Sequence, residues 1–210
     1  MFEDTQLAHL FPEWQLSYAL YEWSRCDPAD RLWNKQVVHT IDRLNTSRSL
    51  EEIYGNAEQL SFHHQEWLPT NGGKLYGIEN NDYSRFVGLI PDFRLETSDK
   101  SLIIILEAKS GIKVPPSSRP LKEHLYLQFL EKASIPRRKG FFFLVPDKTT
   151  NGYLELLKRQ ARPEGALVLG IISWENLLDL ICDHLIKQAL GQLLNITNGL
   201  RRLRTWRKHH

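Results

Sequence analysis

The sequence predicts an α/β protein: a mixed central sheet flanked by helices, with an N-terminal helical extension. Three observations carry that expectation. Over the first forty-odd residues, apolar side chains recur at three- and four-residue intervals, the mark of amphipathic helices. Two later runs, residues 102–106 and 141–145, are apolar without interruption, as in strands covered on both faces. Around and beyond them, helix-like and strand-like patterns alternate. The 210 residues suit one main domain over 61–198, with the helical extension over 1–60 packed on it and a basic tail over 199–210.

The elements follow in order. Pro12 opens a first helix, in which Leu16, Ala19, Leu20 and Trp23 make one apolar face. Asp27 and Pro28 precede a second, with Trp33, Val37, Val38, Ile41 and Leu44 along one side. Ser49, Leu50, Glu51 and Glu52 start a short helix. Residues 62–68 and 74–78 read as strands on either side of a turn at Asn71, Gly72 and Gly73. A β-hairpin comes next, its apolar-rich arms 88–96 and 101–109 flanking a polar turn at 97–100. Residues 115–120 hold three prolines and read as an irregular loop. Then come a helix over 121–133, a buried strand over 140–146, a helix over 153–161 and a strand over 166–173. Ser173 is placed to cap a last helix whose Trp174, Leu177, Leu178, Ile181 and Leu185 keep helical spacing. No internal repeat is present.

The hairpin concentrates the chemistry. With 97–100 as the turn, Glu96 pairs with Ser101 and Asp92 falls opposite Ile105. Side chains alternate faces along a strand, so Asp92 then shares a face with Ile105, Glu107 and Lys109. A register shifted by one residue would put Asp92 on the other face and dissolve the group. Two carboxylates and an ammonium at the end of a strand suit metal-assisted phosphodiester cleavage. Mg²⁺ takes hard oxygen ligands and keeps several waters, and a neighbouring lysine can orient the nucleophile or share transition-state charge. The plain alternative is a surface hairpin that ends in an ion pair.

Pro91-Asp92 and Glu107-Ala108-Lys109, as they stand here, resemble the signature of the PD-(D/E)XK nuclease superfamily. The resemblance implies a restriction-endonuclease-like αβββαβ core, in which the hairpin strands are followed by a crossover helix and a further strand. It implies that Asp92, Glu107 and Ala108 hold a divalent metal, Mg²⁺ with Mn²⁺ able to substitute, and that Lys109 positions or activates the attacking water. Many members carry a glutamate on the helix before the sheet; Glu22, between Tyr21 and Trp23, is the best match, with Glu52 and Glu58 as rivals. Some branches place Gln-x-x-x-Tyr on the helix after the lysine. Gln128 falls in that element, although Lys132 stands where the tyrosine would be. The implied activity is a Mg²⁺-dependent DNA endonuclease of the restriction, defence, repair or transposition type. The alternative is a catalytically silent nuclease-fold module that binds nucleic acid or serves a larger complex.

Charge is distributed unevenly although the net value is only +2. Residues 1–60 carry ten acids against five bases, whereas 109–140 carry eight bases against Glu123 and Glu131. Lys113, Arg119, Lys122, Arg137 and Arg138, downstream of the hairpin, are therefore candidate contacts to a phosphate backbone. DNA is the expected partner, and RNA stays open. Tyr83, Arg85 and Phe86 are either stacking residues for bases or core and loop residues. His63, His64 and Glu66 do not suggest a chelate, since neighbours on a strand face opposite ways. Cys26 and Cys182 lack the spacing of a disulfide framework or zinc knuckle. No apolar run approaches the roughly 18 residues of a membrane span, and the N-terminus lacks a signal-peptide pattern. The expected setting is cytoplasmic. A double-strand cutter of this size is expected to dimerise or to join a larger defence or recombination complex, with the Trp-rich N-terminal helices as a candidate interface.

Overall fold

The computed structural model describes residues 18, 20–21, 34–41, 47–55, 60–109, 114, 123–160, 167–181, 184, 187–188, 190–192 and 195. Seven strands form one mixed sheet: β1 (Val37–Thr40), β2 (Ser47–Ser49), β3 (Leu60–His64), β4 (Phe93–Thr97), β5 (Leu102–Ala108), β6 (Arg138–Val145) and β7 (Leu167–Ser173). Their spatial order is β2-β1-β7-β6-β5-β4-β3. Strands β5, β6 and β7 run parallel, while β3, β4 and β5 pair antiparallel, as do β7, β1 and β2. The described helices are α1 (Leu50–Tyr54), α2 (Gly72–Tyr76), α3 (Asn80–Tyr83), α4 (His124–Lys132), α5 (Thr150–Gln160) and α6 (Trp174–Asp179). None is long and apolar enough to cross a membrane.

Continuous apolar runs make the centre of the sheet because each face needs its own cover. Leu102, Ile104 and Leu106 join Phe142, Leu144 and Ile172 on one face, where Leu20, α1 and α6 supply Tyr54, Trp174 and Leu177. Ile103 and Ile105 join Phe141, Phe143 and Val145 on the other, against Leu127 and Leu130 of α4 and Tyr153 and Leu157 of α5. These are two cores on one sheet, the layered arrangement of an α/β protein. The expected cap at Ser173 is present, and Ser49 supplies another. Ser49 and Glu52 form a reciprocal capping box on α1, and Ser173 accepts from the Asn176 amide at 2.9 Å to start α6.

Two expected elements differ. Val37 and Val38 belong to a strand, not a helix, and only Asn34 and Lys35 beside them are helical. Pairing of His39 with Ile171 and of Val38 with Arg48 gives these β-branched residues two strand neighbours, which outweighs the helical spacing. Residues 37–40 and 47–49 thus extend the sheet. The strand expected at 74–78 is mostly α2. Gly72 lets this helix press against Tyr83, whose hydroxyl would lie 2.0 Å from an added Cβ. Gly77 then ends it in the left-handed conformation at φ 67°.

The hairpin forms, with its register moved. Phe93 faces Leu106 and Glu96 faces Ile103, so the turn is 98–101 instead of 97–100. Thr97 extends β4 because its hydroxyl is satisfied locally: it donates to Asp99 at 2.6 Å and accepts from the Leu102 amide at 3.1 Å. Lys100 supplies the positive φ that the turn needs, at 58°.

On the edge strands this face of the sheet is polar and buried. Glu96 is 2% exposed and Arg94 3%. Lys100 and the Tyr76 hydroxyl, at 3.0 Å, donate to the Glu96 carboxylate. His63 stands between two carboxylates, with Nδ1 2.8 Å from Glu66 Oε2 and Nε2 3.2 Å from Glu96 Oε1, the latter without hydrogen-bond geometry. His64 turns to the opposite face and stacks on Tyr21 at 5.3 Å. The two histidines face apart, as strand alternation requires.

Candidate active site

Asp92 lies one residue before β4, and the β4–β5 register, carried one step past the Phe93 and Leu106 pair, would set it opposite Glu107. Directly opposed residues of an antiparallel pair share a face. The Asp92 side chain is pinned there, its Oδ2 accepting the Ala108 amide at 2.8 Å. Lys109 lies one residue past β5, with its amide donating to the Leu144 carbonyl at 2.8 Å. Its own carbonyl accepts the Trp174 indole N–H at 3.3 Å. Backbone bonds to β6 and α6 thereby fix the position from which the ammonium reaches back. That ammonium donates to Glu107 Oε1 at 2.6 Å.

A third carboxylate, which the sequence reading did not single out, completes the group. Glu123, just before α4, lies with Oε1 3.0 Å from the Lys109 ammonium, and its side chain is 9% exposed. Fourteen positions separate Glu123 from Lys109 in the sequence, so only the folded chain reveals this contact. Tyr126, one helical turn on, donates its hydroxyl to the Ile90 carbonyl at 2.9 Å. Helix α4 is thus tied to the segment that carries Asp92.

The electrostatics follow from burial. Desolvation and the facing Asp92 charge push the Glu107 carboxyl above the usual carboxylate range, against the pull of Lys109. Burial alone would lower the Lys109 ammonium, but Glu107 and Glu123 outweigh it and hold it above the ordinary lysine value. The Tyr126 phenol is also raised, first by burial and then by Glu107 and Asp92. Among the described residues, carboxylates outnumber cations in this spot.

The other candidates divide. Gln128 is on α4, but about 160° around the helix from Tyr126, on the flank with His124, Glu131 and Lys132, so the fold does not bring it to the site. Arg137 and Arg138 do not flank the site either. Because β6 runs parallel to β5, Arg138 sits beside Leu102, at the opposite end of the strand from Glu107. Its guanidinium is engaged there by the Tyr54 carbonyl at 2.6 Å and by Ser101 Oγ at 3.1 Å. Tyr83 and Phe86, at 3% and 0% exposure, are core residues and cannot stack on a base. Glu22, Lys113, Arg119 and Lys122 lie outside the described residues. Of Glu22's rivals, Glu52 serves the α1 cap and Glu58 is also outside them.

Among the described residues, no three His, Cys, Asp or Glu side chains gather as a chelate. A divalent ion here would rest on the two carboxylates, a backbone carbonyl and its own waters, the sparse ligation that Mg²⁺ favours. The donor set fits: hard oxygens, and a half-buried carboxylate pair whose mutual repulsion a dication would relieve. No protein-family model matches the chain, and comparison with curated proteins and with solved structures found no match.

Proposed function

We propose that the protein is a divalent-metal-dependent nuclease that hydrolyses phosphodiester bonds, most simply in DNA. The observation that carries the reading is the gathering of Asp92, Glu107 and Lys109 at the end of β5, with Asp92 Oδ2 accepting the Ala108 amide at 2.8 Å and the Lys109 ammonium donating to Glu107 Oε1 at 2.6 Å. Two arrangements support the resemblance to PD-(D/E)XK nucleases. The acidic and basic residues fall at the expected ends of two antiparallel strands, and β5 is followed by α4 and parallel β6, in keeping with an αβββαβ core.

Asp92 and Glu107, with the Ala108 carbonyl, would hold Mg²⁺, and Mn²⁺ would substitute. Bound there, the metal supplies Lewis acidity toward water and the phosphoryl group. Lys109 donates to the nucleophile or to a non-bridging oxygen, where its fixed charge needs no reorganisation as negative charge grows. Glu123 and Glu107 hold that ammonium in place. Burial of Glu107 keeps bulk water from screening these interactions.

The test is cleavage of supercoiled plasmid, single-stranded DNA and RNA, each with Mg²⁺, with Mn²⁺ and with chelator. Metal-dependent cutting is expected, reduced at least a hundredfold in Glu107→Ala, in line with the loss of a group that stabilises transition-state charge. Cutting that survives both Glu107→Ala and Lys109→Ala would overturn the assignment.

A further inference from the structure

The most exposed large apolar side chain among the described residues stands beside the candidate site. Trp67 is 64% exposed, yet its backbone is anchored on every side. Two residues earlier, the Gln65 amide donates to the Asp92 carbonyl at 3.1 Å. One residue later, the Leu68 amide donates to the Leu89 carbonyl at 3.2 Å. The Trp67 carbonyl itself accepts from Arg94 Nη1 at 3.4 Å, on the sheet face that carries Asp92 and Glu107. The segment therefore runs alongside residues 89–92 as a continuation of β3, and the indole is a held platform two residues from Asp92's backbone partner.

Val87 and Ile90, exposed at 43% and 39%, lie on the same strip of chain. Gly88 between them has φ 93°, and a Cβ added there would be 3.7 Å from the Trp67 ring. Val87 also lines a groove of about 410 Å³ with Thr70, Asn71, Lys74, Asn80 and Ser84. Lys74, on the groove wall, enters no salt bridge among the described residues. The exposed indole and a groove of amide and hydroxyl groups with one lysine thus adjoin through Gly88 and Val87. Folding alone gives no reason to hold an indole in water, since burying such a side chain stabilises by roughly 1.5–3 kcal/mol.

We propose that Trp67 and this groove bind an unpaired strand of nucleic acid, the indole stacking on one base while Lys74 faces the backbone. The proposal rests on the nuclease reading and names its substrate class: single-stranded or forked nucleic acid, not continuous duplex. Stacking requires an open base face, which a paired, stacked base lacks. One base on one aromatic ring is worth about tenfold in affinity or more, and lysine contacts to phosphate appear as salt dependence.

The experiment measures anisotropy of labelled oligothymidine, a blunt duplex and a forked duplex in chelator, so that binding is read without cutting. Oligothymidine and fork are expected to bind more tightly than duplex. Trp67→Ala should weaken both by about tenfold and leave duplex binding within about twofold, while Trp67→Phe retains most of the affinity. Lys74→Ala should reduce the salt slope on single strands by about 0.7. Binding by the parent protein with no change in Trp67→Ala overturns the proposal and leaves the nuclease reading standing. No binding of oligothymidine or fork by the parent protein also overturns the proposal, while the nuclease reading is decided separately by metal-dependent cutting. Self-association lost in Trp67→Ala, with oligonucleotide affinity unchanged, assigns the patch to a protein contact and also overturns it.

Discussion

Asp92 and Glu107 owe their placement to the hairpin, and Glu107 its raised carboxyl to burial and the Asp92 charge. Glu123 acts through Lys109, so Glu123→Gln should slow cleavage by about tenfold, the value of one hydrogen bond to a charged group, while leaving metal affinity unchanged. Equal losses in rate and metal affinity would instead make Glu123 a ligand. Glu96, on the same face, has a separate structural role. Burial works against its charge, yet His63, Lys100 and Arg94 hold its carboxyl down to about 2. A carboxyl depressed below its unfolded value of about 4.3 stabilises the fold fully above that value and loses the contribution as pH falls through its folded value. Glu96→Gln should therefore destabilise the protein at pH 7 by about 3 kcal/mol, and the gap to the parent should close between pH 5 and 2 in urea denaturation. A gap that stays constant over that range contradicts the role. Asp92, Glu107 and Lys109 were legible in the sequence because alternation along a strand is local. Glu123 and Trp67 were not, because their meaning comes from contacts made across the fold.

The hairpin shows at the level of elements why a partly wrong reading can keep a site intact. Thr97 looked like a turn residue, but its hydroxyl is satisfied by Asp99 and Leu102, so β4 gains a residue and β5 starts one later. Each partner of Asp92 shifts by two, from Ile105 to Glu107, and an even shift preserves the face. The basic cluster at 137–139 failed for the opposite reason. A parallel crossover returns the chain to the start of the sheet, so residues soon after the site in sequence stand at its far end in space. The strand nature of 37–40 was hidden because its partner β7 lies some 130 residues away. That pairing is tight: a Cβ at Gly170 would meet the His39 carbonyl oxygen at 2.5 Å. Gly170→Ala should cost about 1–3 kcal/mol through overpacking, read as a lower urea midpoint, and an unchanged midpoint would contradict so close an approach.

Across the whole molecule, two apolar cores hold the seven-stranded sheet rigid, and polar groups collect where β4 and β5 end or face the sheet edge. The carboxyl end of β5 is held by the Lys109 amide's bond to β6, the Trp174 indole of α6, a lysine contact from Glu123 and, through Tyr126, a tie to the Asp92 segment. Such convergence preorganises a small charged group at the rim of a dry core, as transition-state stabilisation requires. The α/β class and the order from β4 to α6 were readable from periodicity, since those elements are long and strongly patterned. The central claim is that Asp92 and Glu107 together form a divalent-cation site. Titration of the protein with Mn²⁺, followed by the loss of the free-ion electron spin resonance signal, tests it most directly. The account predicts saturable binding that is lost in Asp92→Asn and in Glu107→Gln, with both variants still folded by circular dichroism. Binding that is undiminished in these two folded variants, or absent from the parent protein, would contradict it.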